Sequence, residues 1–243
     1  TISNTFLGDG APTFIGTSDL IFTGNLNNSG NRTFTNDMTG TLSFNNINLS
    51  NSATNVNMTL LGTGNTVVNG IIANGGTSTA STFSKGGTGT LTLNGTNTYG
   101  GLTNFNAGTI IIGNNAAFGT GSFTWNGGTL QGNGVAKTLA NTISLAASST
   151  VSGASDLTFN GLVTNTFAGD PTLTINNSGL TSFGSINLSN SATSRTLTLA
   201  GTGNTTINGV IANGSTSTAG AVVNSNSGTL TLSGANSYSG DTT

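Results

Sequence analysis

The stretch Gly89-Thr90-Leu91-Thr92-Leu93-Asn94-Gly95 alternates hydroxyl and aliphatic side chains and then closes on an Asn-Gly pair. In an extended chain successive side chains point to opposite faces, so Leu91 and Leu93 share one face and Thr90 and Thr92 the other. Asn and Gly tolerate positive φ at little cost, which suits them to the corner that follows. The same rhythm returns at Gly108-Thr109-Ile110-Ile111-Ile112 before Gly113-Asn114-Asn115, and at Ser122-Phe123-Thr124-Trp125 before Asn126-Gly127-Gly128. No stretch places apolar residues at i, i+3, i+4 and i+7, and Glu is absent, so the chain reads as all-β with essentially no helix.

Gly89-Thr90-Leu91-Thr92-Leu93 comes back as Gly228-Thr229-Leu230-Thr231-Leu232, an offset of 139 residues. Ile47-Asn48-Leu49-Ser50-Asn51-Ser52-Ala53-Thr54 recurs letter for letter as Ile186-Asn187-Leu188-Ser189-Asn190-Ser191-Ala192-Thr193 at the same offset. Residues 47–103 therefore repeat as 186–242. Upstream, Ser18-Asp19-Leu20 matches Ser155-Asp156-Leu157 at an offset of 137, and a two-residue length difference of this kind fits a surface loop. Self-similarity over so long a period is the mark of a tandem array, so residues 1–243 are expected to be one continuous window of such an array with a large unit of about 139 residues.

Two architectures accept strands of this kind. Antiparallel sandwiches need hairpins and a thick core, whereas a parallel β-helix winds short strands round a thin core and stacks its coils about 4.8 Å apart. The array, the near-absence of Pro (2 residues) and the Asn-rich corners favour the second. The expected fold is a single-stranded parallel β-helix, or β-solenoid, of about ten to twelve coils of roughly 20 to 25 residues each. Leu91, Leu93, Ile110, Ile112, Leu130, Leu230 and Leu232 are expected to face its interior.

Composition narrows the function. Only 4% of the 243 residues are charged, against roughly 25% in an ordinary domain. The four basic residues, Arg32, Lys85, Lys137 and Arg195, are dispersed and the net charge is -2, which provides no footprint for nucleic acid or an anionic membrane surface. No apolar run approaches the roughly 18 residues of a membrane span, so membrane insertion by this segment is not expected. Thr1-Ile2-Ser3-Asn4 has neither a basic nor an apolar leader region, and any targeting signal is expected outside these residues. Cysteine is absent, which removes disulfides as a source of stability.

The segment Lys85-Gly86-Gly87-Thr88-Gly89-Thr90-Leu91-Thr92-Leu93-Asn94-Gly95-Thr96-Asn97-Thr98-Tyr99-Gly100-Gly101-Leu102-Thr103 resembles the passenger-associated β-strand repeat of bacterial autotransporters. Asn106-Ala107-Gly108-Thr109-Ile110, Ala117-Phe118-Gly119-Thr120-Gly121 and Asn126-Gly127-Gly128-Thr129-Leu130 continue the resemblance to residue 130. The second copy keeps it over residues 228–243 in part, with Asn224-Ser225-Asn226 in place of the Lys-Gly-Gly entry. The resemblance implies a parallel β-helix displayed on the outer surface of a bacterium or released outside it. The C-terminal outer-membrane barrel of the family is not among these residues, so export by that route is implied only.

Many β-helices cleave polysaccharides, and such chemistry needs clustered carboxylates or a base with a cation. The supply here is Asp9, Asp19, Asp37, Asp156, Asp170 and Asp241, no two within nine residues of each other. Asp19 and Asp156 occupy matching repeat positions, where Asp is expected to cap its own turn. With no His and no Cys, transition-metal sites and nucleophile–base pairs lack members. Gly8-Asp9-Gly10 hints at calcium, but the nonapeptide calcium repeat is missing. The Gly-rich stretches lack the Gly-Lys-Ser/Thr of a phosphate loop. Tyr99, Tyr238 and Trp125 could stack on sugars if exposed; packing is the favoured role, because the tyrosines share one register. Thr-x-Thr pairs (Thr90/Thr92, Thr172/Thr174, Thr196/Thr198, Thr229/Thr231) recur too irregularly for a flat ice-binding face. No catalytic, cofactor or metal residue is assigned. The expected function is a non-enzymatic extracellular stalk, fibre or surface layer, with a glycan-binding adhesin as the alternative. Its expected partners are copies of itself or adjoining repeats, end to end, and glycans.

Overall fold

The computed structural model describes residues 1–243, and every regular element in it is a β-strand. The chain divides into two compact units, Thr1–Phe123 and Thr124–Thr243. In the first, Leu20–Phe22, Leu42–Phe44, Thr66–Val68, Thr90–Leu93 and Thr109–Ile112 stack into one sheet, and Arg32–Asn36, Asn57–Leu61, Thr82–Lys85 and Thr103–Phe105 into another. Leu26–Asn28, Ile47–Asn48 and Ile72–Ala73 belong to a third sheet. The chain visits one sheet after another and returns one coil later beside its earlier strand, always parallel.

The second unit repeats the plan. Its sheets are built on Ser149–Gly153, Thr172–Asn177 and Thr196–Gly201, on Ile143–Leu145, Val163–Asn165 and Ile186–Asn187, and on Leu157–Phe159, Thr181–Phe183 and Thr205–Ile207, again all parallel. Ladder partners show the coil length directly. It runs from 19 residues, Leu91 to Ile110, to 26, Leu173 to Leu199. The chain is thus an all-β parallel β-solenoid of about nine coils, close to the expected ten to twelve.

Stacking in register sets like residues on like. Phe22 lies on Phe44 with ring centroids 5.3 Å apart, and Phe159 on Phe183 at 5.1 Å. Leu91, Leu93, Ile110, Ile112 and Leu130 are fully buried, as expected, each burial contributing roughly 1.5–3 kcal/mol. Leu230 and Leu232 are a correction: they pair with Thr205 and Ile207 but remain half-buried, because their strand is the last of its sheet and is covered from one side only. The interior is also less purely aliphatic than alternation predicts. Thr66, Thr103, Thr181 and Thr205 are buried, and Asn36 donates to the Thr66 hydroxyl at 3.1 Å, as Asn177 does to Thr181 at 3.3 Å.

Asparagines at the corners tie coil to coil. Buried Asn28 donates to Leu49 O at 2.8 Å, and its repeat counterpart Asn165 donates to Leu188 O at 3.0 Å. A buried carboxamide left without partners would cost about 1–3 kcal/mol per group, so such bridges fix which coil lies on which.

Candidate functional site

Four of the six aspartates do one job. Asp19 accepts the Thr41 N–H at 2.7 Å and Asp156 the Leu180 N–H at 2.7 Å. Asp37 accepts the Thr63 N–H at 3.0 Å, and Asp170 the Thr196 N–H at 2.9 Å. Each reaches the next coil rather than its own turn, which corrects the turn-capping expectation. Where the chain bends between strands the sheet ladder is interrupted, and a short acceptor on the preceding coil satisfies the amide left over.

The two copies show which property of these side chains matters. Asp170 stands where the first copy has Asn31, and Asn31 accepts the equivalent amide, from Asn57, at 2.7 Å. Asn46 accepts from Ile71 at 2.9 Å while its counterpart Ser185 accepts from Val210 at 3.2 Å. Asn55 accepts from Ala80 at 2.9 Å and its counterpart Ser194 from Ala219 at 3.0 Å. At these three corners an oxygen acceptor is retained while the side chain that supplies it changes.

Asp9 and Asp241 are exposed, and no three acidic side chains come together. Trp125 is 1% exposed and Tyr99 fully buried, so neither offers a face to a sugar; Tyr238 is half-buried. The outward column across the main sheet of the first unit reads Ile21, Ser43, Val67, Thr92, Ile111, which is no threonine face. The second unit does carry a hydroxyl column, Thr138, Thr158, Ser182, Thr206 and Thr231, whose members lie on successive strands and not in Thr-x-Thr pairs along one. It is a single column, and Ser182 within it is buried.

The coil that begins at Lys85 is tied by side-chain bonds to the coils on both sides of it. The Lys85 side chain, 4% exposed, donates to Gly86 O at 2.5 Å, Gly87 O at 3.0 Å and, one coil on, Ala107 O at 3.2 Å. Asn97 spans three coils, accepting the Ile72 N–H at 2.8 Å and donating to Ala117 O at 2.7 Å. The Tyr99 hydroxyl lies 2.5 Å from Thr103 Oγ1, which itself donates to Phe118 O at 3.0 Å, so the tyrosine is the donor of that pair. Tyr238 and Thr242 repeat the contact at 2.5 Å, and Asn236 repeats the amide acceptance, from Ile211, at 2.9 Å.

Burial brings the Lys85 ammonium down from 10.5 to about 8, and burial raises Tyr99 well above the usual tyrosine value of 10.0. The two act in opposite senses. The folded Lys85 releases its proton before the unfolded one does, so stability rises with pH between about 8 and 10.5. Folded Tyr99 holds its proton longer than the unfolded form, so its contribution is complete below pH 10.0 and is lost as pH climbs further. Melting followed by circular dichroism should therefore show greatest stability near pH 10, and Lys85→Gln should flatten the rise above pH 8. An identical rise in the variant would assign it elsewhere.

Parallel coils in register, braced at their corners by neutral or charged oxygen acceptors alike, define a β-solenoid whose polar side chains serve the stack. Residues 83–112 and 222–243, two short segments of the solenoid, match the passenger-associated-transport-repeat family. The match is narrower than expected in the first copy, where residues 113–130 lie outside it, and wider in the second. Repeats of this family imply a secreted or surface-exposed domain of a bacterium. No curated protein and no solved structure matches the chain.

Proposed function

We propose that this chain is a non-enzymatic structural segment, a length of rigid stalk, fibre or surface layer held outside a bacterial cell. The observation that carries the reading is the exchange of Asp170 for Asn31 between the two copies with the amide contact retained, since a carboxylate kept for acid–base work could not be replaced by a carboxamide. The bonds that Lys85, Asn97 and Thr103 make to Ala107, Ala117 and Phe118 support it further, because these polar groups act on a neighbouring coil.

The test is a fourfold variant of the full-length protein, Asp19→Asn, Asp37→Asn, Asp156→Asn and Asp170→Asn, with an epitope inserted in the exposed loop at residues 51–55. A carboxamide oxygen accepts the same amides, so the melting temperature is expected to move by only a few degrees. The epitope should be reached by antibody on intact cells equally in variant and parent. An epitope found only after lysis, or display lost with the carboxylates, would contradict the proposal.

A further inference from the structure

We propose that the shallow cleft lined by Ile21, Phe22, Thr23, Asn45 and Asn69 binds one pyranose ring of a neutral glycan. The cleft has a volume of about 270 Å³, near the lower end for small-molecule sites and suited to a single ring. No ionisable side chain lines it, so an anionic or cationic ligand would find no counter-charge there.

Its polar groups are half-engaged in a way that suits sugar hydroxyls. Asn45 donates its carboxamide N–H to Thr23 O at 3.1 Å, which orients the side chain and leaves Oδ1 as an acceptor. Asn69 accepts from Asn94 at 3.1 Å, which leaves its own N–H groups as donors. Acceptor and donor thus stand on adjacent coils, about 4.8 Å apart by the spacing of the stack. A sugar hydroxyl gives one hydrogen bond and takes another, and a ring carrying several can meet both. Ile21, 39% exposed, supplies an aliphatic surface for the C–H face of the ring.

The second copy is an internal comparison. At the matching positions it has Thr158, Phe159, Asn160, Gly184 and Asn208, so the aliphatic surface and the Asn45 acceptor are both missing. The copies agree letter for letter over Ile47–Thr54 and Ile186–Thr193, yet differ at three of the five lining positions. This inference deepens the glycan-binding alternative and takes nothing from the structural role proposed above.

The test is isothermal titration of the purified chain with maltohexaose, cellohexaose and chitohexaose, and with a heparin hexasaccharide as the charged comparison, in low and high salt. Saturable binding of at least one neutral probe is expected, with Kd on the order of millimolar, little changed by salt. Asn45→Gly, which reproduces Gly184, should weaken it tenfold or more. Ile21→Thr, which reproduces Thr158, should weaken it as well and serves if the first variant melts early. Absence of binding to every neutral probe, binding of heparin alone, or unaltered affinity in a folded variant would overturn the assignment and leave the structural role standing.

Discussion

Leu93→Asp is expected to cost on the order of 4–5 kcal/mol, enough to unfold the coils around it. Leu93 is fully buried and pairs with Val68 on one side and Ile112 on the other, both also buried. A carboxyl group there meets aliphatic carbon from three successive coils, with nothing to accept its proton or donate to it. Thr92→Asp, one residue away but facing outward, should cost under about 1 kcal/mol, because its charge stays in water. Paired denaturant titrations of the two variants measure the difference. Equal effects at residues 92 and 93 would mean that the inward and outward faces of the strand are wrongly assigned.

Gly62→Ala is expected to be the second most damaging change, at about 3 kcal/mol or more. Gly62 has φ +106°, where a side chain is strained, and a Cβ there would stand 2.0 Å from Asn36 O on the preceding coil. The backbone of one coil would have to lift off the other. Its counterpart Gly201 has φ +109° and a Cβ position 2.2 Å from Ile175 O, so Gly201→Ala should behave alike. Gly10→Ala, with nothing within 4 Å, should leave the melting temperature nearly unchanged. A mild effect at both Gly62 and Gly201 would show that the corners are looser than this packing requires.

What alternation could show was the direction of each strand residue, and Leu91, Leu93, Ile110, Ile112 and Leu130 lie where that rule puts them. The alternation that puts Thr90 and Thr92 outward does not extend to Thr66, Thr103, Thr181 and Thr205, which are buried, and Lys85 and Lys137 are buried with them. At Thr66 and Lys85 a partner that makes burial tolerable sits elsewhere in the stack. Asn36 meets Thr66 from 30 residues away, and Ala107 O meets Lys85 from 22. The sequence carries no mark of which residues will face each other at that distance until the coil lengths, which vary from 19 to 26, are known.

The same gap hid the working parts. The aspartates were recognisable as corner residues from Asp19 and Asp156, but their acceptance of amides one coil on was not, since Thr41 and Leu180 lie 22 and 24 residues away. The hydroxyl column from Thr138 to Thr231 runs across strands, where a scan along each strand cannot see it. The cleft at Asn45 and Asn69 likewise exists only once those two corners are stacked. The repeat motif was visible directly, because glycines, aliphatics and tyrosine in fixed order need no coil length to be recognised.

The most direct measurement is oxidative cross-linking in a chain that has no cysteine of its own. Ser43→Cys with Val67→Cys places two thiols on facing rungs of adjacent parallel coils, about 4.8 Å apart and within disulfide range. Ser43→Cys with Thr92→Cys places them two coils apart, about 9.6 Å and out of range. Mild oxidation should close the first pair in the folded chain and spare the second. Closure of the second pair at the same rate, or none of the first, would contradict the in-register parallel stack.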